Sequence, residues 1–62
     1  MKPKEIQGLL LMKGVTMKQF AEMNGTTRQN IHSVVVGRTR SAKYRAKIAE
    51  FLGRPVNEVF PE

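Results

Sequence analysis

Five side chains able to donate or accept hydrogen bonds fall within one short stretch of this 62-residue chain: Thr27, Arg28, Gln29, His32 and Ser33. If a helix starts after Thr27, then Arg28, Gln29, His32 and Ser33 fall on the face opposite Ile31 and Val34. An arginine fork matches O6 and N7 of guanine, and a glutamine amide matches N6 and N7 of adenine, each through two hydrogen bonds. Thr27 has two readings: its hydroxyl caps the helix by accepting from the Asn30 amide, or it also reaches a base. His32 on the same face is either a contact or a passive surface group. The pattern suits reading the edges of bases.

The same inventory argues against catalysis. One histidine, no cysteine and five dispersed carboxylates provide no nucleophile–base pair. A metal site lacks a second ligand near His32, and neither a cofactor nor a small-molecule effector is expected. The absence of cysteine also closes the disulfide and thiolate-metal routes to stability.

The charge distribution points to a polyanionic partner. The formal net charge is +6, and no acidic residue lies between Glu22 and Glu50, an interval that holds Arg28, Arg38, Arg40, Lys43, Arg45 and Lys47. Such a one-sign block attracts nucleic acid most commonly, although a solvated basic surface would look the same by charge alone. No apolar run approaches the roughly 20 residues of a membrane span. Gly8, Lys13 and Gly14 interrupt any secretory h-region, so a cytoplasmic location is expected, with no membrane partner.

These side chains must be positioned by helices. Pro3 suits the first turn of a helix running through Ile6, Leu9 and Leu10 to a left-handed stop at Gly14. Gly8 weakens that helix, and its use would be to let another helix approach closely. Leu11 and Met12 widen the apolar face beyond one stripe, so part of it must meet a neighbour or a partner chain. Thr16 and Gln19 form a capping box for a second helix, with Val15 and Phe20 as its hydrophobic staple. Phe20 and Ala21 face inward, Gly25 turns the chain, and Thr27 starts a third helix reaching about Val36. Val34-Val35-Val36 is β-branched and would suit a strand equally well, but the flanking helices favour helix. Gly37-Arg38-Thr39-Arg40 is a basic loop, after which Ser41 caps a fourth helix with Tyr44, Ile48, Phe51 and Leu52 along its apolar stripe. A last short helix spans Arg54 to Phe60, and its Val56, Val59 and Phe60 would pack back on the core or on a second chain. The four methionines read as ordinary core filling. Residues 1–62 form a single domain in this reading: an all-α, compact bundle of five short helices with a helix-turn-helix motif at 17–36.

Ala21, Gly25, Ile31 and Val34, with Phe20 apolar, match the helix-turn-helix pattern. The match extends through Gly25-Thr26-Thr27-Arg28-Gln29-Asn30-Ile31, Gly37-Arg38-Thr39-Arg40 and Ile48-Ala49-Glu50-Phe51-Leu52-Gly53. Across about Ile6 to Phe60 the chain resembles the lambda-repressor-like family of lambdoid phage repressors and Cro proteins, and the related Ner-like small regulators. The resemblance implies a sequence-specific double-stranded DNA-binding regulator of Cro or Ner type, a repressor of prophage origin. It places Thr27, Arg28, Gln29 and Ser33 where family members touch base edges or nearby phosphates. Thr16, Lys18, Arg38, Arg40 and Lys43 fall where the backbone is gripped, with Tyr44 divided between core and phosphate. Two departures stand out. Met17 and Val36 are apolar where the family usually carries polar residues, and Leu10 and Val35 are apolar where it often does, so this second pair would join the core or broaden a contact surface.

A homodimer is expected, with Val56, Val59, Phe60 and Val35 at its interface, reading half-sites about 34 Å apart. Two other readings remain open: a protein-interaction module such as an antitoxin or adaptor on the same scaffold, and a nonspecific basic coat on DNA. Base-facing Arg28 and Gln29 favour specificity over coating.

Overall fold

Local capping chemistry divides the chain into helices close to the expected places. In the computed structural model, which describes residues 1–61, the helices are α1 (Pro3–Met12), α2 (Met17–Met23), α3 (Arg28–Val35), α4 (Ala42–Leu52) and α5 (Val56–Val59). No strand occurs among the described residues. The Thr16 hydroxyl accepts from the Gln19 amide at 3.1 Å, and the Gln19 side chain accepts from the Thr16 amide at 2.9 Å. Thr27 and Ser41 cap α3 and α4 in the same way, through the amides of Asn30 and Tyr44. Each cap satisfies an amide that would otherwise lack an intrahelical partner.

The turn between α2 and α3 is closed at Gly25, whose φ of 68° is left-handed. The Thr26 amide then donates to the Ala21 carbonyl at 2.9 Å, which completes a Schellman stop. The same device ends α3: Gly37 has φ 85°, and the Arg38 amide donates to the Ser33 carbonyl at 2.8 Å. The β-branched run therefore stays helical through Val35. Two buried positions in that run, Val34 and Val35, gain more from the core than they lose in χ1 freedom.

One core joins the elements. Ile6 and Leu10 come from α1, Phe20 and Ala21 from α2, Ile31, Val34 and Val35 from α3, Ile48, Ala49 and Leu52 from α4, and Val59 and Phe60 from the C-terminal segment. Fully burying a side chain of the Ile, Leu or Phe class is worth about 1.5–3 kcal/mol, so this set fixes how α3 is held. Phe20 meets Phe51 edge-on, with centroids 5.2 Å apart, and the Arg45 guanidinium lies 5.1 Å from the Phe60 ring centre. Leu10 and Val35 both join the core.

Four expectations need correction. Val35, Val59 and Phe60 are buried within the chain's own core, and of the four residues assigned to a dimer interface only Val56 is exposed. A pairing surface built on the other three would require opening the core. The methionines are not core filling as a group, because Met12 is 83% and Met23 60% exposed. Gly8 accommodates no helix of this chain, since nothing lies within 4 Å of where its Cβ would stand. Leu11, at 60% exposure, likewise stays outside the core. The last helix is shorter than expected, one turn over Val56–Val59 rather than Arg54 to Phe60.

Candidate nucleic-acid interface

The orientation of α3 follows from its buried residues. Successive residues turn by about 100° around a helix, and Ile31, Val34 and Val35 point into the core. Gln29 and Ser33 then lie almost diametrically opposite them. Gln29 is exposed, while Ser33 and His32 are half-buried. Arg28 leaves the helix on its flank rather than on the outermost line.

That flank faces the start of α2. Arg28, Thr16, Met17 and Lys18 line a notch of about 230 Å³, closed on its other side by Gln7 and Leu11 of α1. The structure thus brings together one residue expected to reach bases, Arg28, and two expected to grip the backbone, Thr16 and Lys18. Thr27 is exposed beside them, its hydroxyl oxygen already accepting from Asn30, which leaves its O–H free to donate.

A second cluster forms at the other end of α3. The Ser33 carbonyl accepts from the amides of both Arg38 and Thr39, at 2.8 and 3.2 Å. The basic loop is therefore pinned to the last turn of α3. Arg38, Arg40 and Lys43 are exposed. Tyr44 is half-buried against the core, and the Lys43 ammonium stands 5.4 Å from its ring centre. Arg45, counted in the basic block, packs against Phe60 instead.

Two residues of this surface carry no local signal in the sequence, and a third carries one. Gln7 and Leu11 reach the notch only because α1 packs beside α2, a tertiary fact with no local pattern behind it. The Asn30 side chain donates to the Thr26 hydroxyl at 2.9 Å, tying α3 to the turn. The i,i+4 spacing of two short polar residues could have revealed that bond.

A family model described as winged helix-turn-helix DNA-binding matches residues 1–62. The chain belongs to that family. Membership carries the helix-turn-helix and the DNA-binding class, and it does not single out a lambdoid or Ner-like type. Comparison with curated proteins and with solved structures finds no match. In this structure α3 is followed by a pinned basic loop and α4, and no strand among the described residues builds a wing. No helix among those residues is long and apolar enough to cross a membrane.

Proposed function

We propose that this protein is a sequence-specific double-stranded DNA-binding transcriptional regulator, a small repressor of Cro or Ner type that acts in the cytoplasm as a single helix-turn-helix domain. The observation that carries the reading is the disposition of α3. Its outermost exposed side chain, Gln29, is a base-reading type, and cationic groups stand at both of its ends. Eight residues make α3 roughly 12 Å long, the scale of the major-groove width. Lys18 and Arg28 stand at one end, and Arg38, Arg40 and Lys43 follow the other. Phosphates fix the register of such a helix while base edges supply specificity.

Within this reading Gln29 contacts a base directly, and Arg28 does so at the edge of the notch. Thr27, His32 and Ser33 complete the base-facing set. Thr16, Lys18, Arg38, Arg40, Lys43 and Tyr44 hold phosphates. The test is selection of binding sites from a random duplex pool, with wild type beside Arg28→Ala. The expected result is an enriched site, with Arg28→Ala losing about 1–3 kcal/mol on it and relaxing one base position. An absence of enrichment, with binding that vanishes in moderate salt, would instead support a nonspecific coat or an adaptor.

A further inference from the structure

Two apolar side chains stand inside the proposed DNA surface, where hydrogen bonding and charge leave them without a role. Leu11, on the outer side of α1, is 60% exposed. Met17 opens α2 and is half-buried, packed in part against the core. Both line the notch of about 230 Å³ that Arg28 borders from α3, together with Gln7, Thr16 and Lys18. A single exposed leucine on a surface needs no explanation. A leucine and a methionine from two helices, facing one base-reading arginine, call for one.

Arg28 poses a problem of direction that its neighbour Gln29 does not. Gln29 projects from the outermost line of α3, whereas Arg28 leaves the helix about 100° away, on the flank. From there a guanidinium on a flexible stem reaches a phosphate as easily as a base. The side chain is exposed, and a mobile arginine gives up rotamer freedom when a complex fixes it. A base reader on a flank therefore benefits from a support that chooses its direction before DNA arrives. The notch supplies one. Long cationic side chains lay their methylene stems along apolar surface and keep the charged head in water. Leu11 and Met17 offer that surface, while the like charge of Lys18 discourages the guanidinium from folding towards α2. No carboxylate stands among the lining residues, so nothing in the notch competes with a base for the head. We propose that Leu11 and Met17 are positioning residues, whose side chains carry the stem of Arg28 so that its guanidinium meets O6 and N7 of a guanine at the mouth of the notch. The inference rests on the DNA reading and deepens it, because base choice then depends on α1 and α2 as well as on α3.

The probes are the duplex that wild type enriches from a random pool and its three variants at the position that Arg28→Ala relaxes. Fluorescence anisotropy titrations of the full chain on all four duplexes test the proposal. Leu11→Ala and Met17→Ala should each weaken binding of the enriched duplex by about three- to tenfold, the cost of ordering one long side chain. Each should relax the same base position as Arg28→Ala, with the slope against salt unchanged because no charge is removed. Both losses should vanish in an Arg28→Ala background, where no stem remains to carry. Met17→Leu, which keeps the apolar surface, should bind as wild type does. Leu11 lies outside the core, so its substitution leaves the fold alone, and circular dichroism melting identifies any loss at Met17 that comes from unfolding. Equal losses on all four duplexes, losses that persist without Arg28, or wild-type binding by either alanine variant overturn the inference. If Arg28→Ala still relaxes its position in those cases, the DNA reading stands. Failure of wild type to enrich any duplex, or of Arg28→Ala to relax one position, overturns the inference together with the base-reading role of Arg28.

Discussion

The same substitution at two glycines is expected to move stability in opposite directions. Gly8 lies within α1, where backbone conformation is helical, and a Cβ added there meets nothing within 4 Å. Alanine in a helix interior is better than glycine by roughly 0.8–1.0 kcal/mol, and no steric cost offsets that gain. Gly25 also has open space around it, but its φ is 68°. A Cβ in the left-handed region costs about 1–2 kcal/mol, part of which is recovered from the reduced freedom of the unfolded chain. The net loss at Gly25→Ala is about 1 kcal/mol. For a domain of this size each kcal/mol shifts Tm by about 4–8 °C. Gly8→Ala should therefore melt about 4–8 °C higher than wild type, and Gly25→Ala lower by a similar amount. Thermal unfolding followed by circular dichroism reads both. A lower Tm for Gly8→Ala would refute the open, helical environment assigned to that position. An unchanged Tm for Gly25→Ala would refute the left-handed turn between α2 and α3.

Two further outcomes concern the proposed interface. Gln29→Ala should lose about 1–3 kcal/mol on the selected site and relax one base position, while the slope of binding against salt stays constant because no cation is removed. Fluorescence anisotropy titrations at several salt concentrations measure this, and equal losses on every sequence would count against Gln29 as a base reader. Thr16→Ala removes the hydroxyl half of the α2 capping box and should cost about 1 kcal/mol of stability. Urea unfolding checks it, and an unchanged midpoint would mean that water caps α2 as well as Thr16 does.

Most of the fold was legible because its boundaries are set by neighbouring residues. The caps at Thr16, Thr27 and Ser41 act over three residues, and the stops at Gly25 and Gly37 act over five. Apolar spacing identified the inward positions Ile6, Ile31, Val34 and Ile48 for the same reason. Features that depend on how helices pack were harder to read. Val59 and Phe60 looked equally suited to the core or to a second chain, and only the return of the C-terminal segment onto the other helices decides for the core. Met12 was indistinguishable by type from a buried residue, yet it projects into solvent because α1 already fills the core with Ile6 and Leu10. The notch around Arg28 combines residues from three helices, so no window along the chain contains it.

The basic loop offers a physical account of a family member without strands after α3 among its described residues. A device that grips the backbone beside α3 must keep a fixed relation to α3, or its ordering cost falls on the bound state. Here the relation is set before binding, because the Ser33 carbonyl holds the amides of both Arg38 and Thr39. Those two bonds spring from the last turn of α3 itself, so any rotation of the helix carries the start of the loop with it. The notch does the same at the opposite end, where Arg28 belongs to α3 while Thr16 and Lys18 are fixed by the capped start of α2. The side chains assigned to bases and those assigned to phosphates are thus held by one backbone framework. A change that loosened the Ser33 turn should lower affinity on all sequences together, whereas a change at Gln29 should act on one base position.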